Sequence, residues 1–212
     1  MRYQFTPTEK TYLNITYTHK TRMRINNECM ERYLNETKRS FTFIPKYDNN
    51  VKTQDVKLCV GMPVIAHLTE KKLDILNSEK FVVKSIDAKN VIVVDGDRII
   101  KVALENFHKY FYLGFCITIY ASQGETFENK YTIYDWNFKH FCNKGKYVAL
   151  SRATSINNIQ IGYNKCVDCD VDCKLYYRCL ECHKTKMGWC DYTCDNNDDN
   201  NDDYEDEDLY AN

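Results

Sequence analysis

An α/β domain interrupted by a small β module, followed by a cysteine-rich segment and an acidic tail, is the architecture this 212-residue sequence predicts. Three observations carry it. Two apolar runs, FYLGFCITIY at 111–120 and KYTIYD at 130–135, have the composition of strands buried on both faces, as in a parallel sheet. Between them and the N-terminal region lie four short alternating runs within residues 62–104, the pattern of an antiparallel meander or small barrel. Seven of the eleven cysteines crowd into residues 166–194, and residues 195–212 hold nine acids with no Lys or Arg.

From the front, YLNITYTH alternates and is β-branched, which predicts a strand over 12–18. In KTRMRINNECMERYLNE, Met23, Ile25, Met30 and Leu34 form an imperfect apolar stripe with charges between, so a helix follows. The polar stretch 46–57 reads as a loop. The β runs are 62–68, 80–86, 90–95 and 98–104, and Asp95-Gly96 is a hairpin signal, because a type I′ turn needs positive φ at both central positions. The expected segments are 1–57 and 109–163 for the α/β domain, 58–108 for the inserted module, 164–194 for the cysteine-rich module and 195–212 for the tail.

A hydrophobic content of 43% suffices for the core of one domain of ordinary size. The formal net charge of −1 conceals an asymmetry: without the tail's nine acids, residues 1–194 stand at +8. A basic body suits a polyanion such as nucleic acid, although a charge of this size alone does not require one. The tail, DNNDDNNDDYEDEDLY, is low in apolar residues and is expected to be disordered, either aiding solubility or competing with nucleic acid for the basic body. Such Asn/Asp richness also occurs in AT-rich genomes, those of large DNA viruses among them. The opening MRYQFTPTEKTYLNITYTHK has no apolar run of signal-peptide length, and no stretch approaches the roughly 20 apolar residues that span a bilayer. A soluble, intracellular protein is expected, whether cytoplasmic, nuclear or in a viral replication compartment.

In such a setting cysteines serve as thiols or metal ligands rather than disulfides. Cys29, Cys59, Cys116 and Cys142 are scattered and read as core or surface thiols. The pairs Cys166/Cys169 and Cys179/Cys182 form C-x2-C…C-x2-C, in which two tight turns each aim two thiolates at one tetrahedral ion, so structural Zn2+ is the expected ligand. Cys173, His183, Cys190 and Cys194 remain as a second set. No acid or base stands where it could use a metal-bound water, which argues against a catalytic metal.

The order of NITYTHKTRMRIN (14–26), VGMPVIA (60–66), ITIYASQGETFENKYTIYD (117–135) and KYVALSRATS (146–155) resembles the C-terminal half of superfamily-1 DNA helicases of the RecD kind, which translocate 5′ to 3′. The resemblance covers residues 10–163. It implies a second RecA-like motor domain with an inserted SH3-like β-barrel. The family pattern Thr-Ile-His-Lys-Ser-Gln-Gly, with Thr one residue later, is matched at Thr118, Ile119, Ser122, Gln123, Gly124 and Thr126, while Tyr120 and Ala121 replace the His and Lys. By resemblance, Thr118 and Ser122 face the backbone of single-stranded DNA, and Gln123, Gly124 and Glu125 lie toward the nucleotide. Hydroxyls and backbone N–H groups bind phosphate oxygens without reading sequence, as a motor requires. Tyr120 could stack on a base. Arg152 matches the family's arginine finger, whose forked, permanent charge stabilises a transferring γ-phosphoryl group.

A helicase also needs a G-x4-G-K-[ST] loop for the triphosphate and an acidic pair for Mg2+. None of the seven glycines, at 61, 96, 114, 124, 145, 162 and 188, makes that loop. The chain alone is therefore expected to hydrolyse no ATP. It reads as the C-terminal motor half of an ATP-dependent helicase, using ATP with Mg2+ only with a P-loop half on a separate polypeptide. The alternative is a helicase relic that serves as a non-enzymatic, zinc-containing nucleic-acid-binding or adaptor protein. Single-stranded DNA is the expected partner, with RNA left open and no membrane involved.

Overall fold

The computed structural model describes residues 10–47, 53–138 and 140–162. The chain begins with β1 (Asn14–Thr16), which runs into the long helix α1 (His19–Thr37). Thr18 caps this helix, its Oγ1 accepting from the Thr21 N–H at 3.2 Å. Lys38 closes the other end in the left-handed region at φ 53°, its N–H reaching the Leu34 carbonyl at 2.9 Å. The strand is shorter than expected because the chain turns at Tyr17 to start the helix.

After α1, β2 (Thr42–Ile44) and β3 (Val56–Leu58) pair antiparallel. The end of the expected 46–57 loop is thus a strand. Val56 and Leu58 are buried while Lys57 points outward to Glu31, so one-sided burial outweighs the polar composition. Next come β4 (Pro63–Ala66), β5 (Lys80–Ile86), β6 (Asn90–Asp95) and β7 (Arg98–Ala103), the four runs legible in the sequence. The β6–β7 turn has positive φ at Gly96 (57°) and not at Asp97, which is the φ pattern of a type II′ rather than a type I′ turn. A short helix α2 (Phe107–Tyr110) leads into β8 (Phe111–Leu113), which returns to pair with β4. The resulting order, β7-β6-β5-β4-β8, is an antiparallel sheet with β7 and β8 at its edges. The closed barrel expected here is carried by no pairing among the described residues.

The apolar run 111–120 is therefore two strands in two sheets. Gly114 N–H makes the last bond to the small sheet, at 2.8 Å from the Pro63 carbonyl. The next two residues belong to other partners: Asn14 Nδ2 donates to the Phe115 carbonyl at 2.9 Å, and the Cys116 N–H donates to Asn26 Oδ1 at 2.9 Å. From there β9 (Cys116–Thr118) joins β10 (Tyr131–Ile133), α3 (Asn143–Leu150) and β11 (Ile159–Ile161) in the main domain. The main sheet has the order β11-β10-β1-β9, and all of its pairs are parallel.

Every residue of these four strands is buried, as expected for a sheet covered on both sides. Its faces differ. Register aligns Ile15 with Ile117 and Ile133, and Ile133 with Ile161, giving an isoleucine face that packs with Ile119, Phe127, Phe141 and Ala149. The alternate residues, Asn14, Thr16, Cys116, Thr118, Thr132 and Gln160, make a polar face. Asn26 and Cys29 of α1 bond to that polar face. Among the described residues no helix is long and apolar enough to cross a membrane.

Candidate functional site

The carboxyl ends of parallel strands are where open α/β sheets bind ligands, because successive loops converge there. Here β9 ends in the segment 119–125, which carries the Ser-Gln-Gly motif. It is a tight turn closed by its own groups: Ser122 N–H lies 3.1 Å from the Thr118 carbonyl, Gln123 N–H 3.2 Å from the Tyr120 carbonyl, and Glu125 N–H 3.1 Å from the Ser122 carbonyl. Gly124 holds φ 82°, a left-handed conformation that glycine adopts without penalty, and a Cβ there would meet nothing within 4 Å. Gln123 and Gly124 are exposed. Glu125 is half-buried, its carboxylate 2.6 Å from Lys80 Nζ of β5.

The two hydroxyls expected to face DNA are turned inward. Ser122 has no exposed surface, and its Oγ donates to the Ile119 carbonyl at 2.7 Å. Its hydroxyl is a turn lock, not an accessible phosphate donor, since one proton cannot serve both. Thr118 is buried with Oγ1 accepting from the Ala121 N–H at 3.3 Å. Tyr120 is 55% exposed.

Arg152 follows α3 and folds back onto this turn. Its Nη1 donates to the carbonyls of Glu125 (3.1 Å) and Ser122 (3.5 Å), its Nε to the Val148 carbonyl (3.1 Å) and its Nη2 to Ser151 Oγ (2.9 Å). Backbone bonds fix the same approach: Phe127 N–H to the Arg152 carbonyl at 2.7 Å, and Thr154 N–H to the Phe127 carbonyl at 3.2 Å. The two sequence motifs, 27 residues apart at Glu125 and Arg152, thus meet side by side. Tyr131 supports them from below. Its hydroxyl donates to the Ala149 carbonyl at 2.6 Å, and burial pushes its pKa up to about 12, so it remains a donor throughout the physiological range.

Asp135, which the sequence reading did not single out, lies two residues beyond β10 in a left-handed conformation at φ 59°. Its buried carboxylate accepts from Thr16 Oγ1 (2.5 Å), Tyr17 N–H (3.2 Å), Thr18 N–H (2.9 Å) and Oγ1 (3.0 Å), and Thr21 Oγ1 (2.7 Å). A carboxylate at the start of α1 also suits the positive end of the helix dipole. The available signal was an acid just past an apolar strand, in a chain whose TYTHKT loop is rich in hydroxyl donors and has no acid of its own.

Of the predicted metal ligands, Cys166, Cys169, Cys179 and Cys182, and the second set Cys173, His183, Cys190 and Cys194, all lie outside the described residues, as does the acidic tail. Among the described residues no group of three or more His, Cys, Asp or Glu side chains could hold a metal ion. Cys29, Cys59 and Cys116 are buried and Cys142 is exposed, all as free thiols.

No protein-family model matches the sequence, and no curated protein matches it. Solved structures do. The chain is similar to a Pif1 helicase solved in work on DNA unwinding at forked double-stranded DNA by two coordinating Pif1 helicases, with 24% identity over 77% of this chain and 40% of that one and a TM-score of 0.54. It is similar to Pif1 from Bacteroides in complex with ADP-AlF3 and single-stranded DNA (21% identity, 76% and 42% coverage, TM-score 0.53). It is also similar to Bacteroides Pif1 bound to single-stranded DNA (19% identity, 77% and 41% coverage, TM-score 0.51). The chain spans less than half the length of each. The likeness is one of fold, that of part of a helicase. It falls on Pif1 enzymes and does not single out the RecD kind.

Proposed function

We propose that this chain is the C-terminal motor half of an ATP-dependent DNA helicase, contributing single-stranded DNA contacts and Arg152 to an ATP site that a P-loop domain completes. The observation that carries this reading is the seating of Arg152 against the Ser122–Glu125 turn at the carboxyl edge of a parallel sheet. The residues present suit an auxiliary part in binding a triphosphate, since a cation stands beside a glycine turn while the phosphate cradle and Mg2+ ligands are not in this sequence. Bound ATP with Mg2+ would supply the γ-phosphoryl group. Arg152 would exchange the carbonyls of Ser122 and Glu125 for phosphoryl oxygens, leaving its bond to Val148 as an anchor. Because the released carbonyls belong to the turn that follows Tyr120, nucleotide binding and DNA binding would be coupled through one loop. The pattern of the inserted sheet suits an SH3-like module, and the Lys80–Glu125 pair would tie it to the same turn.

The competing reading is a non-enzymatic nucleic-acid-binding or adaptor protein. In its favour, each nitrogen of the Arg152 guanidinium already has a partner within the chain. ATP turnover separates the two. The chain alone is expected to show none above background. With a P-loop domain supplied in trans or by fusion, turnover should appear and fall on the order of 10³-fold or more in Arg152→Ala. Persistent inactivity with a competent P-loop domain, or turnover indifferent to Arg152, would favour the adaptor.

A further inference from the structure

Three adjacent strands, β9, β1 and β10, each deliver aromatic side chains at their carboxyl ends: Tyr120, Tyr17, and the pair Trp136 and Phe138. The rings form a connected set. Tyr17 lies 6.2 Å from Tyr120 and 5.6 Å from Phe138 between centroids, and stacks on Phe141 at 5.2 Å with an interplanar angle of 25°. Trp136 meets Phe141 edge-on at 6.0 Å. Phe141 is buried and forms the floor, whereas Tyr17, Trp136 and Phe138 are half-buried and Tyr120 is exposed. An aromatic cluster serving only the core would close over its rings; this one keeps them at the surface, at the edge where parallel sheets take ligands.

Charge identifies the occupant. The described residues of the segments 17–20, 119–124 and 136–147 include three lysines, two histidines and no acid. Lys146 Nζ stands 5.4 Å over the Trp136 ring. The carboxylates that flank these loops are engaged elsewhere, Asp135 by the donors of the β1–α1 turn and Glu125 by Lys80. Partly exposed aromatic rings interleaved with cations fit a single-stranded nucleic acid, whose bases stack on aromatic rings irrespective of sequence while its phosphates take the lysines. A duplex hides its base faces and cannot use the rings.

We propose that Tyr17, Trp136 and Phe138 join Tyr120 in a base-stacking platform for single-stranded DNA, with Lys146 beside it for the phosphates. The proposal rests on the helicase-half reading and extends it beyond the Ser-Gln-Gly turn. Asp135 is its positioning residue: one carboxylate fixes the backbone of Tyr17, and its left-handed φ turns the chain from β10 into Trp136.

The chain has two tryptophans, Trp136 and Trp189, so Trp189→Phe in the full-length protein leaves Trp136 as the sole indole reporter. A labelled oligo-dT and an abasic oligonucleotide of equal length would be titrated, following anisotropy and Trp136 emission together. The platform predicts saturable quenching of Trp136 by oligo-dT and weaker quenching by the abasic strand. In the otherwise native chain, oligo-dT should bind about 5- to 100-fold less tightly after Trp136→Leu or Phe138→Leu, and the preference for oligo-dT over the abasic strand should shrink toward one. Should Trp136→Leu fail to fold by circular dichroism, the Trp189→Phe quenching and Phe138→Leu carry the test. Oligo-dT binding without Trp136 quenching, or equal affinity for the two strands, would overturn the platform and leave the DNA-binding reading standing. Binding of neither strand would overturn both.

Discussion

Ser122 has one hydroxyl proton, and it goes to the carbonyl of Ile119. The residue type suggests phosphate binding, but in a sealed turn the backbone acceptor is nearer than any ligand. Arg152 obeys the same logic with more donors, bonding to the carbonyls of Ser122 and Glu125. His108 is the third inward-turned polar side chain. Only 3% exposed, it packs edge-on against the rings of Tyr47 and Phe107. Burial pushes its pKa below the ordinary 6.5, opposed by the carbonyls of Ile44 and Pro45 and by the charge of Asp55, and reinforced by the neighbouring His67. A base whose folded pKa is depressed takes its proton more readily when unfolded. Its contribution to stability is therefore intact above 6.5 and lost as pH falls through that value toward the folded pKa. The thermal midpoint should drop between about pH 7.5 and pH 5, and His108→Gln, which cannot titrate, should show a smaller drop. Equal drops in both proteins would assign the effect to other groups.

At the scale of elements, α1 is tied to β9 through Asn26. Its side chain pairs with both backbone groups of Cys116, donating to the carbonyl at 3.1 Å and accepting from the N–H at 2.9 Å. This pairing begins β9 in the main sheet just after β8 has left the small one. Asn26→Ala should strand a buried donor and a buried acceptor and lower the unfolding free energy by about 2–4 kcal/mol. Asn27→Ala, one residue on and exposed, should change it by no more than about 0.5 kcal/mol. Chemical denaturation of the two variants makes the comparison; equal losses would mean that helix propensity, not the Cys116 pairing, is being measured. The apolar stripe of Met23, Ile25, Met30 and Leu34 located the helix, yet its buried face also includes Thr21, Arg22, Asn26 and Cys29, while Met23 is half-buried. Polar burial of this kind escapes periodicity because it depends on the polar face of a sheet built largely from residues a hundred positions away.

At the scale of the molecule, the five-stranded sheet reaches the Ser122–Glu125 turn that follows β9 of the main sheet. Lys80 of β5 pairs with Glu125 and lies 5.1 Å over the Phe127 ring, so the inserted sheet touches the motif loop directly. An independent prediction concerns the C-terminal segment. Metal analysis should return one or two zinc ions per chain, and Cys166→Ser or Cys179→Ser should release metal and open residues 166–194 to protease, because the binding energy of a structural site is folding energy. A metal-free chain with an unchanged protease pattern would overturn it.

The sequence by itself determined the local features. The parallel-strand composition of KYTIYD, the four alternating runs, the helix stripe and the order of the motifs all depend on neighbours within one element, and periodicity reports those. Tertiary structure decided what involves distant partners. It split 111–120 at Gly114 because Asn14 and Asn26 claim the backbone beyond it. It turned Ser122 inward, made a strand of Val56–Leu58 by giving it β2 to pair with, and gave Asp135 its five donors from a segment some 120 residues earlier. Hydrogen bonds and burial are satisfied by whichever groups the fold brings near, and chain order does not encode that proximity.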